Sequence, residues 1–240
     1  MRYYGNMNRY SRTDKTSYCL GMSLTIEAIR HQHAHIRQVI LSEKVIRNKE
    51  AETLFSLCEK YDIPYIYDDT AIARLSAKEN CYCIGVFDKY ETHVSSHEHV
   101  VLYDFHDLND LGTIIRSAVS FDFKDLILIG SDIDIFDPAC IRASMGAIFQ
   151  TAILHYEDMD AYLKAYPRQK LYVFSTEGNK ELNELKLQRP FSLMIAQDPH
   201  ELDHYDGDLY QIRHHHFNEI SLAIRSSLIL EKAYEEKRIL

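Results

Sequence analysis

Short apolar segments alternate with amphipathic segments along almost the whole chain, and this alternation constrains the fold more than any other feature. IRQVILSE, DLILIG and FSLMIAQ are typical of buried strands, whereas EAETLFSLCEKY and LGTIIRSAVSF repeat apolar residues at helical spacing. Strands that alternate with helices form parallel sheets, because a parallel pair needs a crossover connection. The sequence therefore predicts an α/β protein with largely parallel sheets.

The polar segment ETHVSSHEH interrupts the alternation and lacks periodicity, so it is the best candidate for a linker. We predict an arm at 1–18, a first domain at 19–91, a linker at 92–97 and a second domain at 98–240. Ligands of open α/β sheets gather at the carboxyl ends of the strands. We therefore expect the loops after Phe105, Gly130 and Gln197 to form one site.

Composition argues against several functional classes. Hydrophobic residues make up 46% of the 240 residues and charged residues 26%, which is sufficient for a folded core. No apolar run reaches the roughly 20 residues that a membrane helix needs, and the N-terminal sequence lacks the apolar region of a secretory signal. The five cysteines are scattered, which favours a reducing, cytoplasmic compartment. The net charge of −9 argues against a protein that coats nucleic acid indiscriminately.

The arm at 1–18 has the opposite charge balance. It carries Arg2, Arg9, Arg12 and Lys15 against Asp14 alone, with four tyrosines interleaved. Bases stack on aromatic rings while cations contact phosphates, so the arm is a candidate RNA-binding segment. An ordinary disordered terminus is the alternative.

Two arginines lie beside the buried stripes of two predicted helices, where folding does not require them. Arg116 lies four residues after Gly112, and Arg142 lies four residues before Gly146. A glycine within a helix costs about 1 kcal/mol relative to alanine, so the pairing suggests that something approaches the backbone closely. Arginine suits phosphate, and we expect both side chains in early helical turns, where backbone N–H groups favour anions. Solvated or ion-paired arginines, with glycines tolerated for helix packing, are the alternative.

The two arginine segments also resemble a known signature. DLGTIIRSAVSF followed by DPACIRASMGAIF is similar to the first motif of the SpoU/TrmH family of RNA ribose 2′-O-methyltransferases. GMSLTIEAIRHQ and CYCIGVF resemble the start and end of the family's small, ribosomal-protein-like RNA-binding domain. The resemblance implies a trefoil-knotted SPOUT-type parallel-sheet domain and a homodimer. It further implies S-adenosylmethionine in the knot loops and methyl transfer to a ribose 2′-hydroxyl.

The resemblance assigns roles to individual residues. Arg116 falls on the catalytic arginine. Because arginine stays protonated, its expected role is to hold the adjacent phosphate and to stabilise the developing alkoxide. RNA contact is assigned to Arg142, Ser144, Asp110 and Ser117. Cofactor contact is assigned to Ala196, Gln197, Asp198, Ile212, Ser221, Leu222 and Ala223.

The cofactor motifs depart from the family pattern at several positions, whereas the first motif departs only at Asp110 and keeps its arginines. The second motif normally reads Gly-Asn-Glu-Gly-x-Gly after a strand, and the third contains Ser-Leu-Asn-Val-Ser. The substituted positions are Asp110 in the first motif, Ala196, Gln197, Asp198, Pro199 and Glu201 in the second, and Ala223 and Arg225 in the third. Proline deletes an N–H and fixes φ, which is the opposite of what a glycine loop offers. The sequence therefore indicates a retained RNA-facing half and a rewritten cofactor-facing half.

Three functions remain. The first is an S-adenosylmethionine-dependent methyltransferase of rRNA or tRNA with an atypical cofactor loop. The second is a non-catalytic, RNA-binding homodimer on the same scaffold. The third is a metal-dependent enzyme that uses a histidine cluster, and it ranks last because zinc needs three or four converging ligands. Its candidate ligands are His200, His204, His214, His215 and His216. We expect structured RNA as the partner, with no DNA, membrane or metal.

Overall fold

The computed structural model describes residues 9–46, 48–76, 80–95, 97–175, 178–196, 198, 208–212 and 220–240. The chain divides into a first unit, Met1–Glu91 with Asp134–Gln150, and a second unit, Thr92–Ile133 with Thr151–Leu240. The second unit begins where the predicted linker begins. The segment Asp134–Gln150 belongs to the first unit, however, whereas the sequence interpretation placed it in the second domain.

The first unit is built on a four-stranded sheet of mixed direction. Its elements are β1 (Thr16–Leu20), α1 (Met22–Gln32), β2 (Ile36–Leu41), α2 (Lys49–Lys60), β3 (Tyr65–Tyr67), α3 (Asp69–Leu75) and β4 (Cys83–Asp88). The strand order is β1-β4-β2-β3. β4 pairs antiparallel with β1 and β2, and β3 pairs parallel with β2. The expected parallel character therefore does not hold in this unit, and β1 was not predicted at all.

The segment Asp134–Gln150 adds helix α5 (Pro138–Ala143) and a 3-10 helix at Ala147–Gln150 to the first unit. The Lys89 ammonium donates to the Asp134 carboxylate at 2.5 Å, and the Tyr10 hydroxyl donates to the same carboxylate. Burial raises the pKa of Asp134, but these hydrogen bonds outweigh burial and hold the pKa below its ordinary value. At the other end, Gln32 donates to the carbonyl of Phe149 at 2.9 Å. The segment is thus bonded to the first unit at both ends.

The predicted N-terminal arm is shorter than 1–18. Residues 16–18 are part of β1, and Tyr10 is held by its bond to Asp134. Residues 1–8 lie outside the described residues, so the RNA-binding role of the arm stays a prediction.

The second unit is built on a seven-stranded sheet, and every pairing among its described strands is parallel. Its strands are β5 (Glu98–Tyr103), β6 (Asp125–Ile129), β7 (Ala152–Tyr156), β8 (Lys170–Phe174), β9 (Lys180–Glu181), β10 (Phe191–Ala196) and β11 (Asp208–Gln211), in the order β7-β6-β5-β10-β8-β11-β9. Its helices are α4 (Leu108–Ser120), α6 (Met159–Ala165) and α7 (Leu222–Lys237). The predicted α/β class is confirmed.

The sequence explains the centre of this sheet. All six residues of β10 are buried, as expected for a strand paired on both edges in a parallel sheet. Helix α4 begins at the Asp107 N-cap, whose carboxylate accepts from the N–H groups of Asn109 and Asp110. The apolar stripe predicted for this helix is buried at Leu111, Ile114, Ile115 and Ala118.

Two further observations concern the expected architecture. Among the described residues, no helix combines the length and apolarity needed to cross a bilayer. The trefoil knot and the ribosomal-protein-like character of the first unit stay predictions.

A buried polar network lies in the core of the second unit. His99 Nε2 lies 2.6 Å from the carbonyl of Ser95, and His99 Nδ1 lies 2.9 Å from the Tyr162 hydroxyl, which in turn lies 2.5 Å from Ser192 Oγ. A carbonyl only accepts, so Nε2 carries the proton and Nδ1 of the neutral ring accepts from Tyr162. Burial lowers the pKa of His99, while the Ser95 carbonyl and Asp125 offset part of that effect.

We expect the free energy of unfolding to fall as the pH drops below about 6.5, the ordinary pKa of histidine. The unfolded chain then binds a proton at His99 that the folded chain excludes, so the stabilisation is complete above that pH and declines below it. Denaturant titrations between pH 7.5 and 5 measure the slope. In His99→Gln the slope should decrease; an unchanged slope would show that His99 contributes nothing to it.

Candidate RNA and cofactor site

The carboxyl ends of three neighbouring strands form one edge of the second unit's sheet. Ala196 is in register with Tyr103, and Tyr103 is in register with Ile129, so β10, β5 and β6 end side by side. The loops after β5 and β6 also touch, because Ser131 Oγ donates to the carbonyl of Phe105 at 2.7 Å. The predicted meeting of these two loops is confirmed. Gln197, where the third loop begins, lies outside the described residues.

Arg116 extends from the solvent face of α4, opposite the buried stripe. Within the described part of the chain, its guanidinium has no carboxylate partner at ion-pair distance. The residue is the ninth of 13 in the helix, so the expectation of an early-turn position is wrong. The backbone N–H groups at the helix start do not reach it, and any attraction for phosphate comes from the guanidinium itself.

Asp110 and Ser117, the two other predicted RNA contacts on α4, have different surroundings. Asp110 lies in the first turn, where burial and then the neighbouring Asp107 raise its pKa. Ser117 Oγ shares a hydrogen bond of 2.9 Å with Ser227 Oγ and therefore links α4 to α7. Contact between these two residues and RNA stays a prediction.

Arg142 lies in the last turn of α5 rather than in an early turn. Its side chain is exposed and, among the residues described, has no carboxylate at ion-pair distance. Ser144, by contrast, is fully buried, and its hydroxyl donates to the carbonyl of Ile141 at 2.9 Å. The predicted RNA contact of Ser144 is therefore corrected: this hydroxyl caps the end of α5 and is not accessible to a ligand.

The segment PACIRASMGAIFQ is not one continuous helix, as the sequence interpretation supposed. Met145 and Gly146 have φ values of 53° and 81°, which end the helix in a left-handed turn. A Cβ on Gly146 would lie 2.9 Å from Cβ of Glu27 in α1. The close approach at this glycine is made by the protein itself, so the packing alternative explains Gly146 and no ligand is needed.

The described residues of the predicted cofactor set follow β10 or β11, end β10 or begin α7. Ala196 is the fully buried last residue of β10, Asp198 is exposed beyond it, and Ile212 follows β11 and is partly buried. Ser221 is the N-cap of α7, and the partly buried Leu222 and Ala223 begin that helix. Gln197 is outside the described residues.

Arg225 connects α7 to the end of β10. It ends the first turn of α7, and its guanidinium Nη2 donates to the carbonyl of Ala196 at 2.6 Å. Two substituted motif positions, one from each cofactor motif, are therefore bonded directly to each other. Sequence reasoning recorded that Arg225 replaces a serine but assigned it no role. The sequence signal for such a role is a permanent cation at a position where the family pattern has a small neutral side chain.

The described residues at this edge differ from those that the resemblance implies for S-adenosylmethionine. Arg225 places a guanidinium where the family pattern has a serine, and a guanidinium close to the cofactor's sulfonium cation would repel it. The Ala196 carbonyl already accepts a hydrogen bond from the protein, and alanine lacks the conformational freedom of the glycine in the motif.

Part of the chain matches a known protein family. Residues 97–197, which include Arg116, Arg142 and Ala196, match the SpoU rRNA Methylase family. This match confirms the resemblance to the SpoU family. No curated protein sequence matches the chain.

Several solved structures share the fold. An rRNA methyltransferase from Sinorhizobium meliloti with bound AdoMet has a TM-score of 0.75 and 19% identity, over 94% of this chain and 88% of the other. The SpoU methyltransferase AviRb from Streptomyces viridochromogenes has a TM-score of 0.77 and 16% identity, over 94% and 91%. An RNA 2′-O ribose methyltransferase has a TM-score of 0.75 and 16% identity, over 94% and 90%. These similarities show a common α/β fold.

Proposed function

We propose that the protein binds structured RNA through Arg116 and Arg142 on a SpoU-type scaffold, and that it does not use S-adenosylmethionine in the family's manner. The proposal rests on the contrast between the surroundings of Arg116 and Arg142 and those of Arg225. Arg116 and Arg142 are exposed and have no carboxylate partner among the described residues, whereas Arg225 is bonded to the strand end where the cofactor motif lies.

RNA is the ligand class that best fits these arginines. A guanidinium offers a planar fork of donors that matches a phosphate group. The structural relatives include an rRNA methyltransferase and an RNA 2′-O ribose methyltransferase, and a further structure that covers 61% of this chain concerns 2-OH methylation of C/U34 on tRNA. We propose rRNA or tRNA as the partner on this basis.

The proposal also includes features that rest on the sequence alone. These are a homodimer, the trefoil knot and a cytoplasmic location. They follow from the resemblance and from the scattered cysteines, and they are independent of the role of Arg225.

Methyl transfer to a ribose 2′-hydroxyl is the second candidate. It is favoured by the exposure of Arg116, which falls on the family's catalytic arginine. In that role the Arg116 guanidinium would hold the phosphate next to the reacting ribose and stabilise negative charge on the attacking oxygen. Both candidates use Arg116 and Arg142 to contact RNA, and they differ at the end of β10.

Replacing either exposed arginine should weaken RNA binding. Arg116→Ala and Arg142→Ala should each reduce affinity for a tRNA transcript or an rRNA hairpin by about tenfold, because each removes a charge-assisted contact. Each should also lower the slope of log K against log salt by about 1, as one fewer counterion is released. Fluorescence anisotropy at several salt concentrations measures both quantities.

Arg168→Ala is the matched control, since Arg168 is an exposed arginine in the turn before β8. It should leave both the affinity and the slope unchanged. Wild-type binding that does not respond to salt, or equal losses in all three variants, would contradict the assignment of the two arginines.

Calorimetric titration with S-adenosylmethionine separates the two candidates. We expect no binding heat from the wild-type protein at millimolar cofactor, because the Arg225 guanidinium repels the sulfonium. Micromolar binding would overturn the proposal and favour methyl transfer. Arg225→Ser restores the family residue, and this variant should gain weak binding of the cofactor. Arg238→Ala is the control, since Arg238 is the C-cap of α7, and it should gain no binding. Absence of binding in Arg225→Ser would assign the loss to the replaced glycines instead.

A further inference from the structure

A groove in the first unit lies between α2 and β3, and none of the motif residues lines it. Its volume is about 440 Å3, which lies within the usual range of ligand sites. It is lined by Glu52, Phe55, Ser56 and Glu59 from α2 and by Tyr65 and Tyr67 from β3. The groove is therefore formed by one helix face and one strand.

Local structure explains why both tyrosines line the groove. Side chains alternate along a strand, so Tyr65 and Tyr67 share one face of β3, while Ile66 packs on the core cluster that contains Ile40 and Ile84. The two tyrosines remain 45% and 50% exposed. Core packing accounts for Ile66 but not for two large aromatic side chains left in solvent.

The three aromatic rings form a continuous wall. Phe55 and Tyr65 have ring centroids 5.3 Å apart at 60°, and Tyr65 and Tyr67 have centroids 6.3 Å apart at 85°. These edge-to-face contacts do not bury the rings against one another as a parallel stack would. The faces of aromatic rings attract cations, arginine above all.

Two carboxylates line the groove and favour a positively charged ligand. Glu52 and Glu59 lie seven residues apart, two turns along the same face of α2, and both are exposed. Within the described ranges, neither has a cationic partner at ion-pair distance. Unpaired carboxylates attract a cation and repel a phosphate, so the groove disfavours the RNA backbone.

We propose that this groove binds an arginine- or lysine-bearing peptide segment of a partner protein. The cationic side chain lies between the rings of Phe55, Tyr65 and Tyr67, with Glu52 and Glu59 compensating its charge. β3 is the last strand in the sheet order, so an extended peptide can run beside it. Neither Arg116 nor Arg142 lines the groove, and the partner binds through charge complementarity to the two carboxylates.

The test compares two labelled peptides that differ only in charge. One carries two arginines between glycines, and the other carries citrulline, the neutral isostere of arginine, at the same positions. We expect the full-length protein to bind the arginine peptide at least about fivefold more tightly, as a cation–π and carboxylate site requires. Glu52→Gln with Glu59→Gln should remove most of this difference and flatten its salt dependence.

Ring variants distinguish the site from general attraction to an acidic protein. Tyr65→Ala with Tyr67→Ala should weaken the arginine peptide about fivefold, whereas the corresponding phenylalanine variants keep the ring faces and should bind normally. Tyr82→Ala is the control, since Tyr82 is 43% exposed elsewhere in the same unit. Circular dichroism confirms that each variant is folded.

Equal binding of both peptides, or binding of neither, would overturn the proposal. Binding of single-stranded RNA that is lost in the tyrosine-to-alanine variants would assign the groove to nucleic acid instead, and this also overturns it. RNA affinity that depends on Arg116 and Arg142 would be unaffected by any of these outcomes, so the two proposals fail separately.

Discussion

The parallel pairing of β10 between β5 and β8 is the constraint on which the site depends. The register that aligns Ala196 with Tyr103 and Ile129 brings three strand ends and their loops to one edge of the sheet. A buried carbonyl at the end of such a strand needs a donor, and Arg225 supplies one to Ala196 at 2.6 Å. The same bond that satisfies this carbonyl places a permanent cation where the resemblance puts the cofactor motif.

Much of the fold follows from local sequence because the central elements are long and strongly patterned. The apolar run of β10 and the helical stripe of α4 predict their own structures without knowledge of their neighbours. The short strands β1, β9 and β11 were not predicted, since only their partners in the sheet stabilise them. The left-handed turn at Met145 and Gly146, which follows α5, brings Gly146 close to Glu27 in α1, a residue remote in sequence.

Some features of the candidate site could likewise be predicted from local sequence, and others could not. Exposure of Arg116 and Arg142 follows from their position beside a buried stripe, which sequence spacing already indicates. The burial of Ser144 could not be predicted in this way, because it depends on the segment Asp134–Gln150 belonging to the first unit. The bond from Arg225 to Ala196 joins residues 29 positions apart, and only the three-dimensional arrangement of α7 and β10 reveals it.

We propose that an edge for the cofactor has become an internal contact, while Arg116 and Arg142 stay exposed for RNA. A crystal structure of the full-length protein grown with saturating S-adenosylmethionine is the decisive test. We predict that the Arg225 guanidinium remains on the Ala196 carbonyl and that no cofactor density lies between β10 and α7. Cofactor bound there, with Arg225 displaced from the carbonyl, would contradict it.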